Sequence, residues 1–227
     1  MRFPFAFVRI TICAATATVV FAFATRASAN ARSSAGGVLK LVGDDPSPTR
    51  GDVLRAGHGT YIGRVLVDRD SAFNRWPDRV DSPIRVWVEP TGQSGFNDRV
   101  RDAFAEWVGA GLPLRFVFVD RAGAAEIHVR WTDHLDRKTG NAVWRVDNRG
   151  WLRSSDILLA THLSDGRPLD ARSLQAITLH EIGHVIGLAH SDDYHDVMAP
   201  LVRVASLSAA DRATARLLYT MPAGHLR

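Results

Sequence analysis

The run His180-Glu181-Ile182-Gly183-His184-Val185-Ile186-Gly187-Leu188-Ala189-His190 decides how the rest of the chain is read. It has the form H-E-x-x-H-x-x-G-x-x-H, with five specified positions. On a helix, His180 and His184 leave the same face one turn apart and can share one ion. Glu181 lies about 100° further round the wheel, close enough to reach a water on that ion without being a ligand. Gly187 ends the helix, because glycine enters left-handed conformations at little steric cost. The turn it makes brings His190 back as a third ligand. Three imidazoles leave a fourth position open for water, as in a catalytic zinc site and unlike a closed structural one. With nine histidines in 227 residues, H-x-x-x-H alone is often only a polar helix face. The intervening Glu, the glycine and the third His together make the pattern specific.

Downstream of His190 come Ser191, a short polar loop, and Asp196-Val197-Met198-Ala199-Pro200. With these residues the chain resembles the metzincin group of zinc peptidases, in which a tight turn carrying a methionine lies beneath the metal; Met198 is the match. Ser191 directly after the third ligand is similar to the matrixin (matrix metalloproteinase) branch, as is Leu207-Ser208-Ala209-Ala210-Asp211 leading to Leu218-Tyr219. The resemblance spans about residues 76–220 and is strongest from His180 to Pro200. It implies an α+β, zincin-like fold: a twisted, mixed five-stranded sheet with about three helices and an active-site helix ending at a glycine turn.

Local patterns agree with that order of elements. Ile84 to Glu89 alternates apolar with other residues and stops at Pro90, as a strand does. Phe96, Val100, Ala103, Phe104, Trp107 and Val108 recur at helical spacing before Gly109-Ala110-Gly111, so their aromatics belong to the core. Leu114–Val119, Glu126–Trp131, Ala142–Val146 and Ser155–Ala160 read as four further strands. Asp170 or Ser173 caps the active-site helix, whose Leu179, Ile182 and Ile186 lie opposite the histidine face. Ser208 with Asp211 three residues on forms a cap for the last helix. His128, His134 and His162 read as surface or hydrogen-bonded histidines, and His58, His195 and His225 as surface residues.

The N-terminal third is less informative. Residues 1–29 have the form of a secretory signal, with Arg2 and Arg9, an apolar run from Ile10 to Ala24, and Ala27-Ser28-Ala29 as an A-x-A cleavage site. The run is short for a membrane span, so cleavage is expected, with no stable membrane anchor and a secreted or periplasmic product. The single cysteine, Cys13, lies in this segment, which leaves the product without disulfides. Residues 30–75 read as a linker or short pro-segment, with Tyr61 to Val67 as an edge strand, and residues 76–227 as the catalytic domain. A composition of 46% hydrophobic and 23% charged residues is that of an ordinary globular chain. The net charge of +4 comes almost entirely from arginine, with only Lys40 and Lys138 as lysines. No basic tract is interleaved with aromatics, which argues against a nucleic-acid partner.

The resemblance implies a secreted zinc endopeptidase, expected to be monomeric and to act on protein or peptide substrates. One catalytic Zn²⁺ is expected on His180, His184 and His190, with Glu181 as general base. Matrixins often carry calcium or a second, structural zinc, but their usual ligand spacing is not recognisable here. By analogy, substrate lies extended along the strand holding Ala142, Val143 and Trp144. The Pro200-Leu201-Val202 segment walls the pocket after the cleaved bond; the family commonly has tyrosine where this chain has Val202. The family's cysteine-based latency has no cysteine to use after Cys13, and the first of its two adjacent aspartates is here Ala210. Asp44, Asp45 or His58 could replace that cysteine, but residues 30–75 are expected to be linker, leaving the exported enzyme active. Two other readings stand beside this one: a processing factor dedicated to one protein partner, and a non-catalytic zinc-binding module. The second has no use for Glu181.

Overall fold

Alternating apolar residues build the main sheet, whose five strands are β2 (Arg79–Val88), β3 (Leu114–Phe118), β4 (Ile127–Thr132), β5 (Gly140–Val146) and β6 (Leu152–Ala160). They lie in the order β3-β2-β4-β6-β5. The first four run parallel, and β5 pairs antiparallel with β6 as an edge. The computed structural model describes residues 48–136 and 138–226. The expected signal at 1–29 and Asp44 and Asp45 lie outside these residues. Val86, Val88, Ile127, Val129, Ile157 and Leu159 are buried at every second position, and the five strands expected between Ile84 and Ala160 all form, each within about five residues of its expected ends.

Two helices pack against one another beside the sheet. In α3 (Phe96–Val108), Phe96, Val100, Ala103, Phe104 and Trp107 form the buried stripe expected from their spacing. In α4 (Ala171–Val185), Asp170 accepts from the Ser173 N–H and caps the first turn. Eleven of its fifteen residues are buried, so α4 is a core helix whose polar face looks into a cleft. Its last carbonyls, orphaned by the helix end, find donors elsewhere. Trp76 Nε1 donates to Val185 O at 2.8 Å, Tyr219 Oη donates to Ile186 O at 3.0 Å, and the Leu188 N–H reaches Gly183 O at 2.9 Å. Gly187 has φ +109°, and a Cβ there would stand 2.0 Å from Asn74 O. Both the turn and the close approach of the chain therefore require glycine.

Sequence patterning misread the N-terminal part of the described chain. Residues 61–67, expected as an edge strand, lie almost wholly in helix α2 (Ile62–Asp68). The β-branched content suggested a strand, but Ile62, Val65 and Leu66 fall at helical spacing and are all buried. Tertiary burial of that stripe outweighs intrinsic preference. Just before it, α1 (Arg50–Ala56) starts at a reciprocal capping box between Thr49 and Asp52. Further on, β1 (Ala72–Phe73) pairs antiparallel with β7 (Gly224–His225), tying the stretch after α2 to the C-terminal end of the described chain.

The last helix, α5 (Ala209–Thr220), has the expected cap: Ser208 Oγ accepts from the Asp211 N–H, and Asp211 from the Ser208 N–H. Asp211 is completely buried and does more than cap. Its carboxylate also accepts from Tyr61 Oη at 2.9 Å, Val197 N at 2.9 Å and Met198 N at 3.4 Å. Asp211→Ala should destabilise the protein by at least about 3 kcal/mol in urea denaturation, because several buried donors lose their acceptor and the helix its cap. Tyr61→Phe, which removes one hydrogen bond, should cost about 1 kcal/mol.

Candidate active site

Helix α4 and the turn after it deliver three histidines to one point. His180 and His184 project from adjacent turns, and the reversal at Gly187 returns His190 to face them. Their nearest ligand-capable atoms all lie within 4.8 Å of one another. The His180 and His184 Nε2 atoms are 3.1 Å apart. Tetrahedral Zn–N bonds of about 2.0–2.1 Å would hold neighbouring nitrogens about 3.3 Å apart, so the spacing suits zinc.

Hydrogen bonds behind the rings set the tautomers. His180 Nδ1 donates to Val197 O at 2.8 Å, and His184 Nδ1 to Leu188 O at 3.1 Å. A carbonyl can only accept, so each Nδ1 carries the proton and each Nε2 turns a lone pair inward. His190 Nε2 is buried with no hydrogen-bond partner, an orphan that a metal would satisfy. Burial holds the His180 pKa down at about 4. It also lowers His184 well below the usual range, with His180, His190 and Arg69 adding to the effect, and lowers His190. The rings are therefore neutral at neutral pH, as ligands must be. Among the described residues, this triad is the one cluster of three or more candidate ligands.

Glu181 lies in the same cleft and is only 5% exposed. Burial pushes its carboxyl up to about 8, with Lys138 acting in the opposite direction. A bound dication would further favour the carboxylate. The cleft admits it because Gly140 on β5 has no side chain: a Cβ there would stand 2.4 Å from Glu181 Oε1. Met198 is fully buried in the turn below, where a Cβ on Gly183 would come within 2.2 Å of its Sδ.

Of the expected substrate residues, Ala142 and Trp144 line the cleft, while Val143 alternates to the outer face and is exposed. Pro200 is exposed, Leu201 is half-buried, and Val202 is buried in the core; none of the three lines this cleft. Asp68, Arg69, Lys138 and Gly140 do line it. No sequence signal marked these four, because they reach the site only through strand pairing and helix packing. The other histidines are as expected. His128 Nε2 bonds to Ala122 O at 2.9 Å and His162 Nδ1 to Thr161 Oγ1 at 2.8 Å. His58, His134, His195 and His225 are exposed.

The Matrixin family model matches residues 84–220. Matrix metalloproteinase-C of Caenorhabditis elegans is 23% identical over 150 residues, covering 60% of this chain and 25% of that protein. The chain thus spans about a quarter of that relative's length. Among solved structures, myroilysin aligns with a TM-score of 0.46 and 15% identity, over 64% of this chain and 95% of its own.

Two predictions follow from the geometry. Gly140→Ala should displace the Glu181 carboxylate, leave zinc binding within a few-fold of wild type, and lower peptide hydrolysis by about ten-fold or more, as read by metal analysis and turnover. The depressed histidine pKa values delay proton competition. An exposed imidazole is half protonated near pH 6.5, whereas burial keeps His180 neutral until the pH approaches about 4 and lowers His184 and His190 in the same direction. Dialysed protein should therefore still hold zinc somewhat below pH 6.5, where an exposed three-histidine site loses it, and should be metal-free once the pH falls to the His180 value of about 4.

Proposed function

The chain belongs to the matrixin family of zinc metallopeptidases, and on that premise we propose that it is an endopeptidase whose metal is held by His180, His184 and His190, with Glu181 as general base. The observation that carries this reading is the convergence of three neutral imidazoles on one point beside a buried carboxylate. When bound, zinc supplies Lewis acidity, acidifying water and polarising a carbonyl. The chain's own residues do the rest. Glu181 takes the proton from the attacking water at its carboxylate and hands it to the departing amine. Ala142, Trp144 and Ala189 give the cleft apolar walls, beside which charges interact more strongly than in water.

Substrate placement follows from the edge position of β5. Only one side of that strand is paired, with β6, so its other side can receive an extended peptide as an added strand. Ala142 and Trp144 would then contact substrate, with Val143 on the opposite face. Pro200, Leu201 and Val202, expected to wall the pocket after the cleaved bond, lie outside this cleft and are assigned no contact with substrate. Protein substrates are implied by the family, and export by the signal-like residues 1–29. Among the described residues, no helix is long and apolar enough to cross a membrane.

The test is direct. Purified protein should contain one zinc, cleave peptides, and lose activity with a chelator. Glu181→Gln should keep the metal and lose at least about 10²-fold in turnover. A zinc-loaded mutant with near wild-type turnover would refute the role of Glu181, while metal-free wild-type protein would refute the site itself.

A further inference from the structure

We propose that Arg69 is a positioning residue for the metal site, so that the N-terminal helices are a working part of the catalytic unit instead of a removable restraint. The inference rests on the metal centre proposed above. Arg69 is the C-cap residue of α2, far from the histidines in sequence, yet it lines their cleft. Its Nη2 donates to Leu188 O at 3.0 Å. That same oxygen accepts from His184 Nδ1. One carbonyl therefore sits between the guanidinium and a candidate ligand, and its orientation sets where the His184 ring points. The guanidinium carbon also lies 4.0 Å over the Trp144 ring, whose other neighbour is His184, stacked at 6.3 Å and 24°. A single planar group thus ties the loop carrying the third histidine to the edge strand on the far side of the cleft.

The segment behind Arg69 is built to hold it there. Ile62, Val65 and Leu66 are buried in the common core, and Tyr61 anchors the start of the helix to Asp211 and Thr214. Directly after Arg69, Asp70 and Ser71 both adopt positive φ, 50° and 58°, which non-glycine residues keep only where surroundings enforce it. Those surroundings are visible. Ser71 N donates to Leu66 O at 2.7 Å, Leu226 N to Ser71 O at 2.9 Å, and Arg50 Nη1 to Ser71 Oγ at 3.0 Å. Electrostatics alone would disfavour a guanidinium beside a dication. Its value there is geometric: a planar fork can stack and donate at once, and an ammonium cannot.

Arg69→Lys isolates this geometry, since it keeps the charge and removes the fork. In the full chain, zinc affinity measured by competition with a chromophoric chelator should fall by about 10- to 100-fold, the range for partners behind metal ligands. The absorption spectrum of the cobalt-substituted protein at saturating metal should also change, which a purely structural loss would not produce. Arg55→Ala, at an exposed site on α1, should leave both readouts unchanged. If Arg69→Lys does not fold, Trp144→Leu removes the platform under the same guanidinium and should alter the cobalt spectrum in the same way. Unchanged affinity and spectrum in the variant that folds overturns the proposal. So does tighter zinc or faster peptide cleavage, which would make the segment an inhibitory cover. Wild-type protein that binds no zinc would overturn the metal centre as well.

Discussion

A buried carboxylate must find its hydrogen-bond donors within the protein, and Asp211 finds them in three separate stretches of chain. The donors are Tyr61 Oη ahead of α2, the backbone N–H groups of Val197 and Met198 in the turn under the histidines, and Ser208 at the start of α5. Each would be costly to strand without an acceptor, so the three stretches are fixed relative to one another. Val197 passes the constraint on. Its N–H is held by Asp211, and its carbonyl accepts from His180 Nδ1. The orientation of the first histidine thus depends on a carboxylate outside the cleft.

The same logic runs through the rest of the site. Asp196 binds the Ser191 hydroxyl on one side and accepts from Ser208 Oγ at 2.7 Å on the other, closing the loop that follows His190. Leu188 O serves His184 from beneath, and Trp76 and Tyr219 satisfy the carbonyls where α4 ends. Catalysis by preorganisation needs side chains that cannot wander, and here two of the three histidines are held by hydrogen bonds to backbone carbonyls. The strand that would bind substrate is different. β5 is an edge, and its free side is available for pairing.

Much of this was legible in the residues. The spacing of His180, Glu181 and His184 requires only helical periodicity, and Gly187 announces its turn by lacking a Cβ. The caps at Asp170 and Ser208 are local, involving partners three residues apart, so composition alone reveals them. The strands were found from alternation. Even the helix at 62–68 had a signal in its buried i, i+3, i+4 stripe, though the β-branched residues masked it, and the Thr49–Asp52 box was present but unread.

Residues close together along the chain set the elements from β2 onward, the chemistry of the triad and the place where α4 must end, because each is a local pattern. Only the tertiary structure decided that Gly140 faces Glu181, that Asp211 serves four donors, and that Arg69 spans from Leu188 to Trp144. Those contacts depend on which strand lies at the sheet edge and how α2 seats on the core. Periodicity records which face of an element is apolar but not which neighbour covers it. That choice is made by packing and by the need to satisfy every buried polar group, and both are properties of the whole fold.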